Sequence, residues 1–107
     1  MDVFVCIQGK MNHFDIRDII YVEHCCRTVF IYTLEGIVYI PYVTLNSIHL
    51  ALGNDYLCQC HKSFLVNCIF IEKIDRTENV IILKDEIGEI AIGRKYKSDF
   101  LRKMHYI

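Results

Sequence analysis

Residues 56–74 read "YLCQCHKSFLVNCIFIEKI", and at its centre "HKSFLVN", residues 61–67, sets a polar and charged triplet against an apolar run closed by Asn67. A turn whose only duty is to reverse the chain draws on Gly, Pro, Asn or Asp. His61, Lys62 and Ser63 are none of these, so the weight falls on their side chains rather than their backbone. Phe64, Leu65 and Val66 read as core. Asn67 reads as a residue that fixes local backbone, as Asn side chains do at turns.

On either side of this stretch, short runs rich in β-branched and aromatic residues recur: "VFVCIQ" (3–8), "DIIYVEH" (18–24), "TVFIYT" (28–33), "GIVYIP" (36–41), "CIFIEKI" (68–74), "NVIILK" (79–84) and "EIAIG" (89–93). Charged and turn-forming residues punctuate them, with "LEG" (34–36), "TEN" (77–79) and "DEIG" (85–88) as connections. The pattern predicts a mainly β fold of short antiparallel strands with one or two short helices. One helix is expected over 44–52, where Leu45, Ile48 and Leu52 recur at helical spacing between a Thr44 cap and a Gly53 stop. A second is expected from Ser98 onward, with Phe100, Leu101 and Met104 on one side and Arg102 and Lys103 on another.

A chain of 107 residues fits one domain, 1–107, with a core that needs neither disulfides nor a structural metal. The apolar fraction of 53% with seven Tyr and six Phe excludes a disordered chain. Runs such as "NVIIL" fall far below the roughly 20 apolar residues of a membrane span, and no signal-peptide pattern opens the sequence. A cytoplasmic protein with no membrane partner is expected. The six cysteines, Cys6, Cys25, Cys26, Cys58, Cys60 and Cys68, form no CxxC. They read as reduced core thiols, with no metal and no cofactor, because Cys58, Cys60 and His61 lack a second ligand pair at zinc-site spacing. The adjacent Cys25–Cys26 pair is the exception, since a loop would expose it to oxidation.

The net charge of −1 is unevenly spread. Residues 1–55 carry three basic and six acidic side chains, 71–93 the same, and 94–107 five basic against one acidic. Lys62 stands apart inside the opening motif. The basic end is either a solvated helical face or a surface for phosphate.

In their order along the chain, "DIIYVEHCCRTVFIYTLEG", a helix, "YLCQCHKSFLVNCIFIEKI" and "IAIGRKY" resemble the LytTR DNA-binding domain of bacterial transcription regulators. The most specific element is "HKSFLVN", similar to that family's His-(Arg/Lys/Asn)-Ser-aromatic-x-Val-Asn signature. The resemblance implies sequence-specific binding of double-stranded DNA by loops that enter the major groove, regulating transcription. It further implies a tandem pair of short sites taken by two copies, and a receiver domain as a frequent companion. By position it makes Lys62 and Arg94 base contacts and the "HCCRT" loop around Arg27 and Thr28 a third contact region, while His61 reads first as a partly buried residue hydrogen-bonding the turn backbone and otherwise as a further DNA contact. The chemistry agrees: Arg and Lys donate to guanine O6 and N7, while Ser63 and Lys95 suit phosphate oxygens. Two departures stand out. Gln59 occupies a position where the family commonly has Arg, and His24-Cys25-Cys26 replaces a polar or Gly-containing turn.

Two other classes compete. An enzyme with Cys58 or Cys60 as nucleophile and His61 as base is opposed by strand alternation, which turns Cys60 and His61 to opposite faces. A protein-binding β-module derived from the same fold would instead use exposed edge strands.

Overall fold

The computed structural model describes residues 2–104, in which ten strands and two α-helices follow one another. Strands β1 (Asp2–Ile7) and β2 (Lys10–Asp15) form a two-stranded antiparallel ribbon. The central sheet has five strands in the order β5-β4-β3-β7-β6: β3 (Ile19–Cys25), β4 (Thr28–Thr33), β5 (Gly36–Pro41), β6 (Leu57–His61) and β7 (Phe64–Asn67). A third sheet, order β10-β9-β8, contains β8 (Ile71–Asp75), β9 (Val80–Leu83) and β10 (Glu89–Ala91). The helices are α1 (Leu45–Leu52) and α2 (Arg94–Lys103).

The central sheet is covered on both faces, which follows from the period of two along its strands. One face puts Val22, Val29, Ile31, Ile40 and Leu65 against Val5 and Phe14 of the ribbon and Leu45, Ile48 and Leu52 of α1. The other puts Ile20, Cys58, Cys60 and Val66 against Ile81, Leu83, Ile90, Ile92 and Phe100 of the third sheet and α2. Leu65 and Val66, adjacent and both fully buried, thus serve different cores.

The mainly β expectation holds, and so does helix α1. Thr44 caps it by accepting a hydrogen bond from the Ser47 N–H at 3.1 Å, and Gly53 ends it at φ 87°, a conformation glycine adopts without steric cost. Three readings are corrected. The C-terminal helix begins at Arg94, not Ser98, because Gly93 supplies an extended N-cap that lets "RKYK" wind directly into it. The "CIFIEKI" run is a strand only from Ile71, since Cys68–Phe70 form a 3-10 turn. Cys6 is exposed rather than core, facing outward from the ribbon.

Asn67 is fully buried and tied in three directions. Its Nδ2 donates to the carbonyls of Ile16 (3.1 Å) and Ile19 (2.8 Å), and its Oδ1 accepts from the Ile69 N–H (3.1 Å). It therefore locks the base of the β6–β7 hairpin to the chain entering β3, the backbone role read for it in the sequence.

Candidate nucleic-acid interface

Three separate segments meet at one end of the central sheet. The β6–β7 hairpin turns at Lys62 and Ser63, and neither takes a positive φ, so this turn has no need of Gly, Asn or Asp. What holds it is side-chain chemistry. The His61 Nδ1 accepts the Ser63 N–H at 3.0 Å, its ring packs against Phe64 at a centroid distance of 5.2 Å, and Gln59 Nε2 donates to the His61 carbonyl at 3.2 Å. Cys60 is skipped in the pairing register between Gln59 and His61, a bulge that re-aims the strand end. His61 is thus half-buried and occupied by its own turn, while Lys62 stands exposed beside it.

The first turn of α2 lies against this hairpin. The Gly93 N–H donates to the Cys60 carbonyl at 2.9 Å, and a side chain at Gly93 would meet His61 Cδ2 at 3.3 Å and Cα at 3.4 Å. That close approach is what a glycine permits there. Behind it Phe100 is fully buried, so the helix is anchored by its far side and offers Arg94 and Lys95 outward from its first turn. Sequence reasoning placed both on a loop; the structure places them on a helix end. Lys97 of the next turn donates from Nζ to the Arg76 carbonyl at 2.8 Å, tying α2 to the β8–β9 turn. His61, Lys62, Gly93, Arg94, Lys95 and Tyr96 together line an open cleft of about 700 Å³. The cationic lining is reinforced by the positive end of the helix dipole.

The third segment is the β3–β4 turn. Cys26 (φ 54°) and Arg27 (φ 61°) are both left-handed, the geometry of the tight hairpin turn that Asn-Gly normally fills. Thr28 Oγ1 donates to the Cys26 carbonyl at 3.3 Å, and the Tyr42 N–H donates to the Arg27 carbonyl at 2.8 Å. Arg27 is exposed; Thr28 is half-buried in the first pair of β4. The His24 N–H donates to the Ser63 carbonyl at 2.9 Å, so this turn is stitched to the β6–β7 hairpin. All seven residues read from the sequence, Arg27, Thr28, His61, Lys62, Ser63, Arg94 and Lys95, therefore lie on the same end of the molecule, four of them around the cleft. Gly93, Tyr96 and Tyr42 were missed. Only the Gly directly ahead of "RKY" carried a sequence signal, as a helix start.

A second cleft, about 370 Å³, is lined by Asp15, Asp18 and Glu35 among others. Asp15, held well below the usual carboxylate range by its hydrogen bonds from Arg17, is paired there with the Arg17 guanidinium at 3.0 Å. Cys60 is a poor nucleophile for a His61 base: burial pushes it up to about 12, leaving it protonated, and its sulfur turns to the Phe64 carbonyl at 3.9 Å. Cys58 lies 3.3 Å from the Cys68 sulfur, and that hydrogen bond lowers it to about 7. Among the described residues no three His, Cys, Asp or Glu cluster as metal ligands would, and no helix is long and apolar enough to cross a membrane.

Comparison with known proteins gives the family and the fold. The family model of the LytTr DNA-binding domain matches residues 9–105. Among solved structures, the chain is similar to one described as the LytTr DNA-binding domain of a methyl-accepting/DNA response regulator from Bacillus cereus. The match has a TM-score of 0.74 and 19% identity, covering 95% of this chain and 94% of that one. No curated protein matches the chain.

Proposed function

The chain belongs to the LytTr DNA-binding domain family, and on that premise we propose that it binds double-stranded DNA sequence-specifically through the major groove to regulate transcription in a bacterial cytoplasm. The observation that carries this reading is the convergence of Lys62, Arg94 and Lys95 on one exposed cleft, with the Arg27 turn hydrogen-bonded alongside. Cations held on three stiff supports suit a rigid, grooved polyanion. Arg94 is assigned to a guanine edge, Lys62 to a guanine or an adjacent phosphate, and Lys95 and Ser63 to phosphate. Arg27 and Thr28 form the outlying contact. His61 acts on DNA through the turn it holds, by keeping Lys62 in place. Two copies on a tandem pair of short sites complete the proposal, with a receiver domain as the companion that would control them.

The test is a set of binding titrations at several salt concentrations, on a site selected from random duplexes and on its single-base variants. Arg94→Ala is expected to cost about 1–3 kcal/mol and to relax preference at one base position. Lys95→Ala is expected to weaken binding to all duplexes alike and to lower the salt slope by about one. If Arg94→Ala changes neither affinity nor preference, the major-groove assignment falls. A protein-binding module then becomes the better reading, favoured by the open edge strand β5 with Ile37 and Tyr39 45% and 60% exposed.

A further inference from the structure

The β3–β4 turn carries chemistry that DNA contact does not use. Cys25 and Cys26 are adjacent, both exposed, and their sulfurs lie 3.6 Å apart in a thiol–thiol hydrogen bond. Cys25 closes the strand opposite Thr28, while Cys26 occupies the first left-handed position of the turn and Arg27 the second. Direct oxidation fits this pair poorly. A disulfide needs its sulfurs at about 2.0 Å, and closing the gap between neighbouring residues would wrench the turn. A single bridging atom fits well: two thiolates on one tetrahedral metal at bonds of about 2.3 Å stand about 3.8 Å apart, close to the observed separation.

We infer that Cys25 and Cys26 form a dithiol site for a soft, thiophilic metal or metalloid ion, and that filling it takes the Arg27 turn out of DNA contact. The second half rests on the DNA-binding reading above; the first does not. Softness is required because thiolates select such ions over oxygen-loving ones. Two protein donors suffice for a pyramidal metalloid centre that brings its own third substituent, and among the described residues no group of three His, Cys, Asp or Glu is placed to hold a metal. The hydrogen bond with Cys26 raises the Cys25 thiol above its ordinary value, which slows reagents that need a free Cys25 thiolate. A reagent that accepts both protons has no such handicap. With a trivalent arsenic oxide, two sulfur–arsenic bonds form and the arsenic–oxygen bond breaks. Both thiol protons leave with the oxygen as water, and no electrons change hands. The bulky bridge would then sit beside Arg27 and two residues from Thr28, at the surface the turn presents.

The other close thiol pair, Cys58 and Cys68, is the rival target. Cys58 is buried within the core beneath α2 and Cys68 is half-buried, so the exposed pair is reached first.

The experiment treats the reduced full chain with phenylarsine oxide in the presence of a competing monothiol, maps the adduct by mass spectrometry, and measures affinity for the selected duplex before and after. One equivalent is expected on the peptide containing Cys25 and Cys26, resistant to monothiol, removed by a dithiol, and accompanied by at least a tenfold loss of affinity. Cys25→Ser and Cys26→Ser should each lose the stable adduct, while Cys58→Ser should keep it. An adduct that maps to Cys58 and Cys68, or survives in Cys25→Ser, overturns the site. A fully occupied site with unchanged affinity overturns the coupling while leaving DNA binding intact. Should the untreated protein bind no duplex, the coupling falls with the DNA-binding reading, and the adduct map still decides the dithiol site.

Discussion

The two hairpin turns that frame the candidate interface are held in opposite ways. At Lys62–Ser63 the backbone is relaxed and the neighbours are elaborate: His61 bonds the turn, Gly93 presses on it, and Asn67 anchors its base. At Cys26–Arg27 the neighbours are few and the backbone itself is strained, with two left-handed residues that each carry a side chain. A left-handed residue with a Cβ costs about 1 kcal/mol or more. The comparison teaches that one turn is made stiff by packing, while the other holds its side chains out on a strained backbone.

The largest expected effect tests the packed turn. Asn67→Ala removes both Nδ2 hydrogen bonds and the acceptor for Ile69, leaving the Ile16 carbonyl with the Ile19 N–H alone and the Ile19 carbonyl one bond short, and should cost about 3 kcal/mol in a urea denaturation series. An effect below about 1 kcal/mol would mean that the hairpin base is held by the sheet alone. Gly93→Ala comes next. Its methyl group must displace His61 by a few tenths of an ångström, so overpacking should destabilise the protein by about 1–2 kcal/mol. It should also weaken DNA binding without removing any contact residue. Unchanged binding would show that Lys62 and Arg94 do not depend on this seam.

Arg27→Gly probes the strained turn and should move two measurements in opposite directions. Stability should rise by about 1 kcal/mol as the left-handed strain is relieved, while affinity for the selected duplex falls. A loss of stability would remove the distinction between the two turns. The smallest effect lies away from both. Burial lowers the His49 pKa below its ordinary 6.5, and its Nε2 lies 3.3 Å from the Leu57 carbonyl. Because the folded state disfavours protonation, the unfolded chain binds more protons once pH drops below about 6.5, and stability falls. His49→Gln should flatten the slope of stability against pH between about 7 and 5, leaving the interface turns untouched.

Much of this was legible because the relevant signals are local. β4 and β5 match the sequence reading at both ends, since "TVFIYT" and "GIVYIP" are built on unbroken β-branched and aromatic runs that turns bracket. Helix α1 was readable from Thr44 and Gly53. β2 escaped because "KMNHFD" buries only Phe14 and leaves Met11 exposed, so it shows no apolar alternation. β6 escaped because Cys58, Gln59 and Cys60 are weak strand signals, and pairing with β7 decides their conformation. The residues of the candidate interface were legible through resemblance to a family signature. Their supports were not. The Gly93–His61 contact, the His24–Ser63 hydrogen bond and the left-handed Cys26 join positions through tertiary packing, which no linear pattern encodes.

The two hydrogen bonds that stitch the turns together, His24 to Ser63 and Gly93 to Cys60, make the interface behave as a ruler. Each of these segments is fixed to the next through backbone, so on the proposed function the intervals between contacted bases would belong to the protein rather than to a flexible arm. Inserting one base pair within a half-site shifts the distal bases by about 3.4 Å along the axis and turns them by about a tenth of a revolution. A stitched sheet end has no slack to follow either movement. Such a domain should tolerate a wrong base better than a wrong interval, and its operators should vary in letters while keeping their length.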